Sequence, residues 1–218
     1  HPLPGDPGGL FWISVMKKLA TLTLLAAALA APSLRAEEGP WMIRLRAVAL
    51  QPANKSDAFS TVGADAVHVS NKTIPDLDFS YCFTKNFSAE LVLTVPQEHD
   101  VTLNGAKLGT FKHLPPTLTA QWRFLPGAAF NPYVGAGLNL TLISDVKLAG
   151  GALDLDKTSV GIAAQVGADI KLAPNWYLNV DVKYVQIKSD VKDKATGAKV
   201  TTVKVDPMLY GVGIGYRF

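Results

Sequence analysis

Asp206-Pro207-Met208-Leu209-Tyr210-Gly211-Val212-Gly213-Ile214-Gly215-Tyr216-Arg217-Phe218 alternates almost without a break. Met208, Tyr210, Val212, Ile214, Tyr216 and Phe218 are large and apolar, and Gly211, Gly213 and Gly215 stand between them. A strand sends successive side chains to opposite faces, so one face here is apolar and aromatic and the other nearly bare. A soluble sandwich buries its apolar face and sets polar residues opposite. A small membrane barrel turns the apolar face to lipid and packs small residues inward. The stretch therefore predicts one wall strand of a transmembrane β-barrel.

Working outward, eight alternating segments follow the same rule: 41–52, 72–83, 87–97, 110–125, 132–143, 159–172, 176–190 and 200–218. Short turns (84–86, 126–131, 173–175) alternate with longer polar connections (53–71, 98–109, 144–158, 191–199), the pattern of an eight-stranded antiparallel barrel in an outer membrane. Residues 53–71 are expected to be the most mobile connection and to cap the mouth.

Parity separates the faces. Ile43, Leu45, Leu77, Phe79, Leu91, Leu118, Leu138, Ile162, Val166, Val180 and their neighbours carry no charge. The opposite face holds Arg44, Arg46, Asp76, Asp78, Glu90, Arg123, Asp169, Asp181, Lys183 and Arg217, five acids and five bases. Lys or Arg in lipid would cost about 2–4 kcal/mol near the midplane, whereas a mixed set facing a lumen can pair. A soluble eight-stranded barrel of the lipocalin kind would want the charges outside. With both termini periplasmic, Arg44, Arg46, Asp78, Glu90, Arg123, Asp169, Asp181 and Arg217 form a charged periplasmic floor, with Lys183 expected to pair there. Trp41, Phe83, Phe87, Trp122, Phe124, Trp176, Tyr216 and Phe218 form an aromatic girdle at that end. Val48, Leu50, Ile74, Val92, Val185 and Leu209 lie higher on the inner face and are read as a hydrophobic path. The competing reading makes them plain lumen filler.

Near the other end, Met16-Lys17-Lys18 and the apolar run Leu19–Ala31 read as a secretory signal peptide over 16–36, too short to span a bilayer. Residues 1–15 read as an extension upstream of the natural start, and residues 37–218 as one barrel domain. The chain has a formal charge of +3; Lys17, Lys18 and Arg35 against Asp6 leave the mature part near +1, which argues against nucleic acid as a partner. Cys82 is the only cysteine, which excludes an internal disulfide and a cysteine-based zinc site. The mature chain's histidines, His68, His99 and His113, match no metal-ligand spacing and converge by parity with no Ser and acid. The expectation is no enzyme, no metal and no cofactor.

Lys112-His113-Leu114-Pro115-Pro116-Thr117-Leu118-Thr119-Ala120-Gln121-Trp122, Pro132-Tyr133-Val134-Gly135-Ala136-Gly137, Gly161–Gly167 and the closing Tyr216-Arg217-Phe218 resemble the OmpW family of small outer-membrane proteins, over about Trp41 to Phe218. The resemblance implies an eight-stranded barrel with a hydrophobic channel that passes small hydrophobic molecules inward and releases them through an opening in the wall. The terminal Phe two residues after Tyr216 also resembles the signal read by the barrel-assembly machinery. Outer-membrane lipid, small hydrophobic molecules and that machinery are the expected partners. Pro52, Pro75, Pro96, Pro115, Pro116 and Pro207 fall in the upper parts of strands. Proline withholds a ladder donor. Pro115 and Pro116, with Pro52, Pro75 or Pro96, are candidates for a lateral opening; they could equally just end the ladder near the rim. A structural or adhesive barrel with a filled lumen is the alternative function.

Overall fold

In a computed structural model the residues described are 39–218; the readings of 1–15 and 16–36 fall outside them. Alternating β-branched and aromatic residues place fifteen strands in this region. In chain order they are β1 (Trp41–Gln51), β2 (Lys55–Ser56), β3 (Val67–Val69), β4 (Lys72–Cys82), β5 (Phe87–Thr94), β6 (Gln97–Leu103), β7 (Ala106–Leu114) and β8 (Thr117–Arg123). There follow β9 (Phe130–Leu148), β10 (Leu153–Leu155), β11 (Thr158–Ala173), β12 (Trp176–Val185), β13 (Lys188–Asp193), β14 (Lys199–Lys204) and β15 (Met208–Arg217).

Eight of these close a cylinder: β1, β4, β5, β8, β9, β11, β12 and β15, each antiparallel to its neighbours, with β15 returning to β1 through Ile43 opposite Tyr216 and Leu45 opposite Ile214. Closure leaves no free edge, as hydrocarbon demands of any spanning sheet. The outer surface is apolar; Leu138 and Ile162 face each other across β9 and β11 and are 63% and 56% exposed. At the end near both described termini, Trp41, Tyr81, Phe83 and Phe87 form a chain of ring contacts at 4.8, 5.0 and 5.6 Å, and Trp176 meets Tyr216 at 4.9 Å.

At the far end the wall does not dissolve into loops, as the sequence reading of 53–71, 98–109, 144–158 and 191–199 expects. The upper part of β9 pairs with β7 and β10, β10 with β13, β13 with β14, β14 with β2, β7 with β6 and β6 with β3. Asp65 N–H donates to the Ser56 carbonyl at 2.9 Å and joins β2 to β3, so an upper tier rings the mouth. The reason is local: Val67 and Val69, Val101 and Leu103, and Val191 carry an alternation that a polar composition obscures. Asn104 and Gly105 between β6 and β7 both have positive φ (48° and 82°), the conformation a tight hairpin turn requires. Outward charges begin in this tier with Glu98, Lys112 and Lys188, so it stands beyond the apolar belt.

The glycines of β15 face inward opposite β1: Gly213 pairs with Arg46 and Gly215 with Arg44. A Cβ at Gly213 would lie 2.1 Å from the Leu45 carbonyl oxygen and 2.6 Å from Arg46 Cα. The bare face of the closing strand is thus the room the two arginines occupy. Gly213→Val is expected to cost about 1–3 kcal/mol through overpacking, read as a lower urea midpoint of the refolded barrel in lipid vesicles. Gly63→Ala, where a Cβ meets nothing within 4 Å, is the matched control and should leave the midpoint unmoved.

Candidate functional site

Alternation on β1 and β4 sets Arg44 opposite Asp78 and Arg46 opposite Asp76. Arg44 Nη1 lies 2.9 Å from Asp78, its Nη2 2.7 Å from Asp169, and its Nη1 3.5 Å from Glu90. Arg46 Nη2 reaches Asp76 at 3.1 Å and Asp78 at 3.3 Å, while Arg123 holds Asp169 at 2.5 Å. Lys183 Nζ donates to Glu90 at 2.7 Å, the pairing its position predicts. The Tyr133 hydroxyl donates to Asp181 at 2.9 Å, and the Arg123 and Arg44 guanidiniums lie 5.4 and 5.9 Å from its ring centre. Arg217 sits lowest, with Nε donating to the Gly39 carbonyl at 2.8 Å. Seven of the eight floor residues are therefore joined in one network, with Arg217 below it, and the pairs reach from β1 to β4, β5, β11 and β12. Arg44, Asp78 and Glu90 have no exposed surface. This layer lies at the girdle end of the barrel interior.

Above it lie two stacked chambers. The lower, a narrow cavity of about 20 Å³, is lined in part by Val48, Leu50, Ile74, Val92, Val185 and Leu209, all six of the residues read as a path. The upper, a cavity of about 80 Å³, lies inside the upper tier, walled by residues such as Val67, Val101, Phe111, Leu155, Val191 and Val203. The sequence reading places Ile143, Ile187 and Val205 of its wall in an apolar mouth and misses the rest of the chamber that comes from 53–71, 98–109, 144–158 and 191–199, which it treats as connections. His113 and Ile187 line both chambers and mark the junction. His68 lies exposed on β3, apart from His99 and His113. Among the described residues no group of three or more His, Cys, Asp or Glu is placed to hold a metal ion.

The wall has an interrupted seam. The ladder between β4 and β5 ends at Asp76 opposite Thr94 and resumes where Ser70 N–H donates to the Asp100 carbonyl at 3.0 Å. On the other side of the same ribbon, pairing stops at Val92 opposite Thr117 and resumes at Gln97 opposite His113. Val95 and Pro96 are thus outside the ladder on both sides; the Val95 carbonyl takes the Thr94 hydroxyl at 3.1 Å and the Gln97 side-chain amide at 2.9 Å instead. Pro75, Pro96, Pro115 and Pro116 border this place. Pro52 does not, because it follows β1, which β4 separates from β5, and Ala53 N–H beside it donates to the Val205 carbonyl at 2.8 Å. Toward β9 the wall also stays joined, Leu140 N–H donating to the Pro116 carbonyl at 3.0 Å.

A closed lipid-faced barrel with an aromatic girdle is a multi-pass outer-membrane protein. The chain belongs to the OmpW family, whose model matches residues 37–218. It is 35% identical to outer membrane protein W of Vibrio cholerae serotype O1, over 90% of this chain and 97% of that one. The crystal structure of OprG from Pseudomonas aeruginosa superposes with a TM-score of 0.71 at 30% identity, covering 85% of this chain and 99% of that one. A Pseudomonas aeruginosa relative named dibenzothiophene metabolism operon protein PahQ is 26% identical over 84% of this chain and 90% of its own.

Removing one partner from a buried ion network strands the others. Arg44→Met is expected to cost about 3–5 kcal/mol, seen as a large drop in the urea midpoint. Asp100→Ala, which removes the exposed partner of Lys107, should leave it nearly unchanged.

Proposed function

We propose that the barrel passes small hydrophobic molecules from outside, down through the upper and lower chambers, and out sideways into the membrane through the wall near Val95 and Pro96. Both termini and the girdle then lie on the periplasmic side, and the C-terminal strand is what the barrel-assembly machinery engages. The observation that carries this reading is an apolar lumen above a charged floor: continuation downward would drag an apolar molecule through a layer of buried charge pairs. The interrupted seam next to Val92 and Ile74 supplies an exit from the lower chamber, which Thr94 and Pro115 beside the break also line. Two chambers in line, both lined mainly by apolar side chains, favour a conduit over a structural or adhesive barrel. An apolar constriction passes cargo by size and dewetting, with no chemistry at the lumen wall, which supports a non-enzymatic protein without cofactor. The name of the PahQ relative agrees with this class of cargo, dibenzothiophene being a fused aromatic hydrophobe.

Uptake of a small hydrophobic probe into cells carrying the protein should exceed that of cells lacking it, and Val92→Arg should return it to the empty-cell level while the barrel still folds. Equal uptake with and without the wild-type protein would overturn the conduit. Pro96→Val with Pro115→Val and Pro116→Val returns the withheld ladder donors at and beside the seam. A severalfold loss of uptake is expected, and unchanged uptake would send the exit elsewhere.

A further inference from the structure

His99 and His113 stack at the junction of the chambers, ring centres 4.7 Å apart and planes 10° from parallel. They are 0% and 2% exposed, and Nε2 of each lacks a hydrogen-bond partner. His99 Nδ1 lies 2.9 Å from the Ser70 carbonyl, so its proton sits on Nδ1 and its Nε2 presents a lone pair. Burial holds both imidazoles below their ordinary pKa, His113 down to about 3, so the pair is neutral at ordinary pH. An unsatisfied buried polar nitrogen is expensive, and one at a cavity wall calls for an account.

The other polar side chains of the upper chamber are already engaged. Thr141 donates to Asn139, Ser189 to the Asp156 carbonyl and Thr201 to the Asp57 carbonyl. In the lower chamber Thr94 and Thr117 donate to backbone carbonyls, and Arg46, Asp76, Asp181 and Lys183 belong to the floor network. His113, which lines both chambers, is the lining polar group left with an unused ring nitrogen.

We propose that His113, backed by His99, is a hydrogen-bonding station for the cargo, and that the favoured cargo is a compact hydrophobe carrying one hydroxyl group. A hydroxyl serves an imidazole nitrogen in either tautomer, donating to the lone pair or accepting from the N–H. The apolar walls take the rest of the molecule. A bare hydrocarbon fits the walls but leaves the nitrogen unpaired, and a site that expects a hydroxyl discriminates against its absence. The inference rests on the conduit reading and adds a selectivity to it.

The test compares toluene with p-cresol, which differ by a hydroxyl, binding to the full-length barrel in detergent micelles. Dissociation constants are measured for wild type, His113→Phe and His113→Gln. The p-cresol-to-toluene affinity ratio should fall about tenfold in His113→Phe, and His113→Gln, which keeps a hydrogen-bonding group, should retain most of it. In the wild type, p-cresol but not toluene should move the His113 imidazole nitrogen resonances, a readout that needs no variant to fold. A ratio equal in wild type and His113→Phe, or imidazole resonances blind to p-cresol while it binds, would overturn the station and leave the conduit standing. Binding of neither compound would overturn both.

Discussion

In hydrocarbon a backbone N–H or C=O has no water to turn to, so every strand in the apolar belt must find its partners in another strand. That constraint closes β15 onto β1 and makes each proline in the wall consequential, because a proline cannot donate. Pro75, Pro96, Pro115 and Pro116 come together on adjacent strands, and there the ladder stops. The break sits where the outer surface changes from Leu93 and Val95 to Glu98 and Lys112, near the edge of the belt, where a missing bond is least costly.

The second constraint lies inside. Two buried arginines on one strand must be housed inside the barrel, which requires carboxylates around them and space for long side chains. Asp76 and Asp78 across β4, Asp169 from β11 and Glu90 from β5 supply the first; Gly213 and Gly215 supply the second. Such pairing barely offsets the cost of desolvation. Its consequence is positional: the ionic layer stands at the girdle end and the mainly apolar chambers lie above it. The proposed sideways exit follows from a charged floor beneath an interrupted wall.

Parity and charge were readable along the chain because the side-chain period of a strand is strictly two and needs no knowledge of neighbours. The lipid face, the aromatic end, all six lower-chamber residues and the Lys183 pairing come from that rule. The connections were misjudged because polar outward residues such as Lys192 and Lys199 masked the inward valines beside them, and an Asn104-Gly105 turn that marks a hairpin was read as loop.

The sequence alone determined the barrel, its inside and its outside, since each follows from alternation that survives in any register. Only the tertiary structure decided which prolines share a seam, because adjacency around a barrel depends on pairing between distant segments. It also decided the histidine pair. Inward positions run through Val92 and Thr94 but resume at Gln97 and His99, so the alternation slips by one residue across Val95 and Pro96. An unpaired dipeptide absorbs that extra residue as a bulge does. The slip turns His99 inward onto His113, a juxtaposition that strict period-two counting from Val92 could not produce.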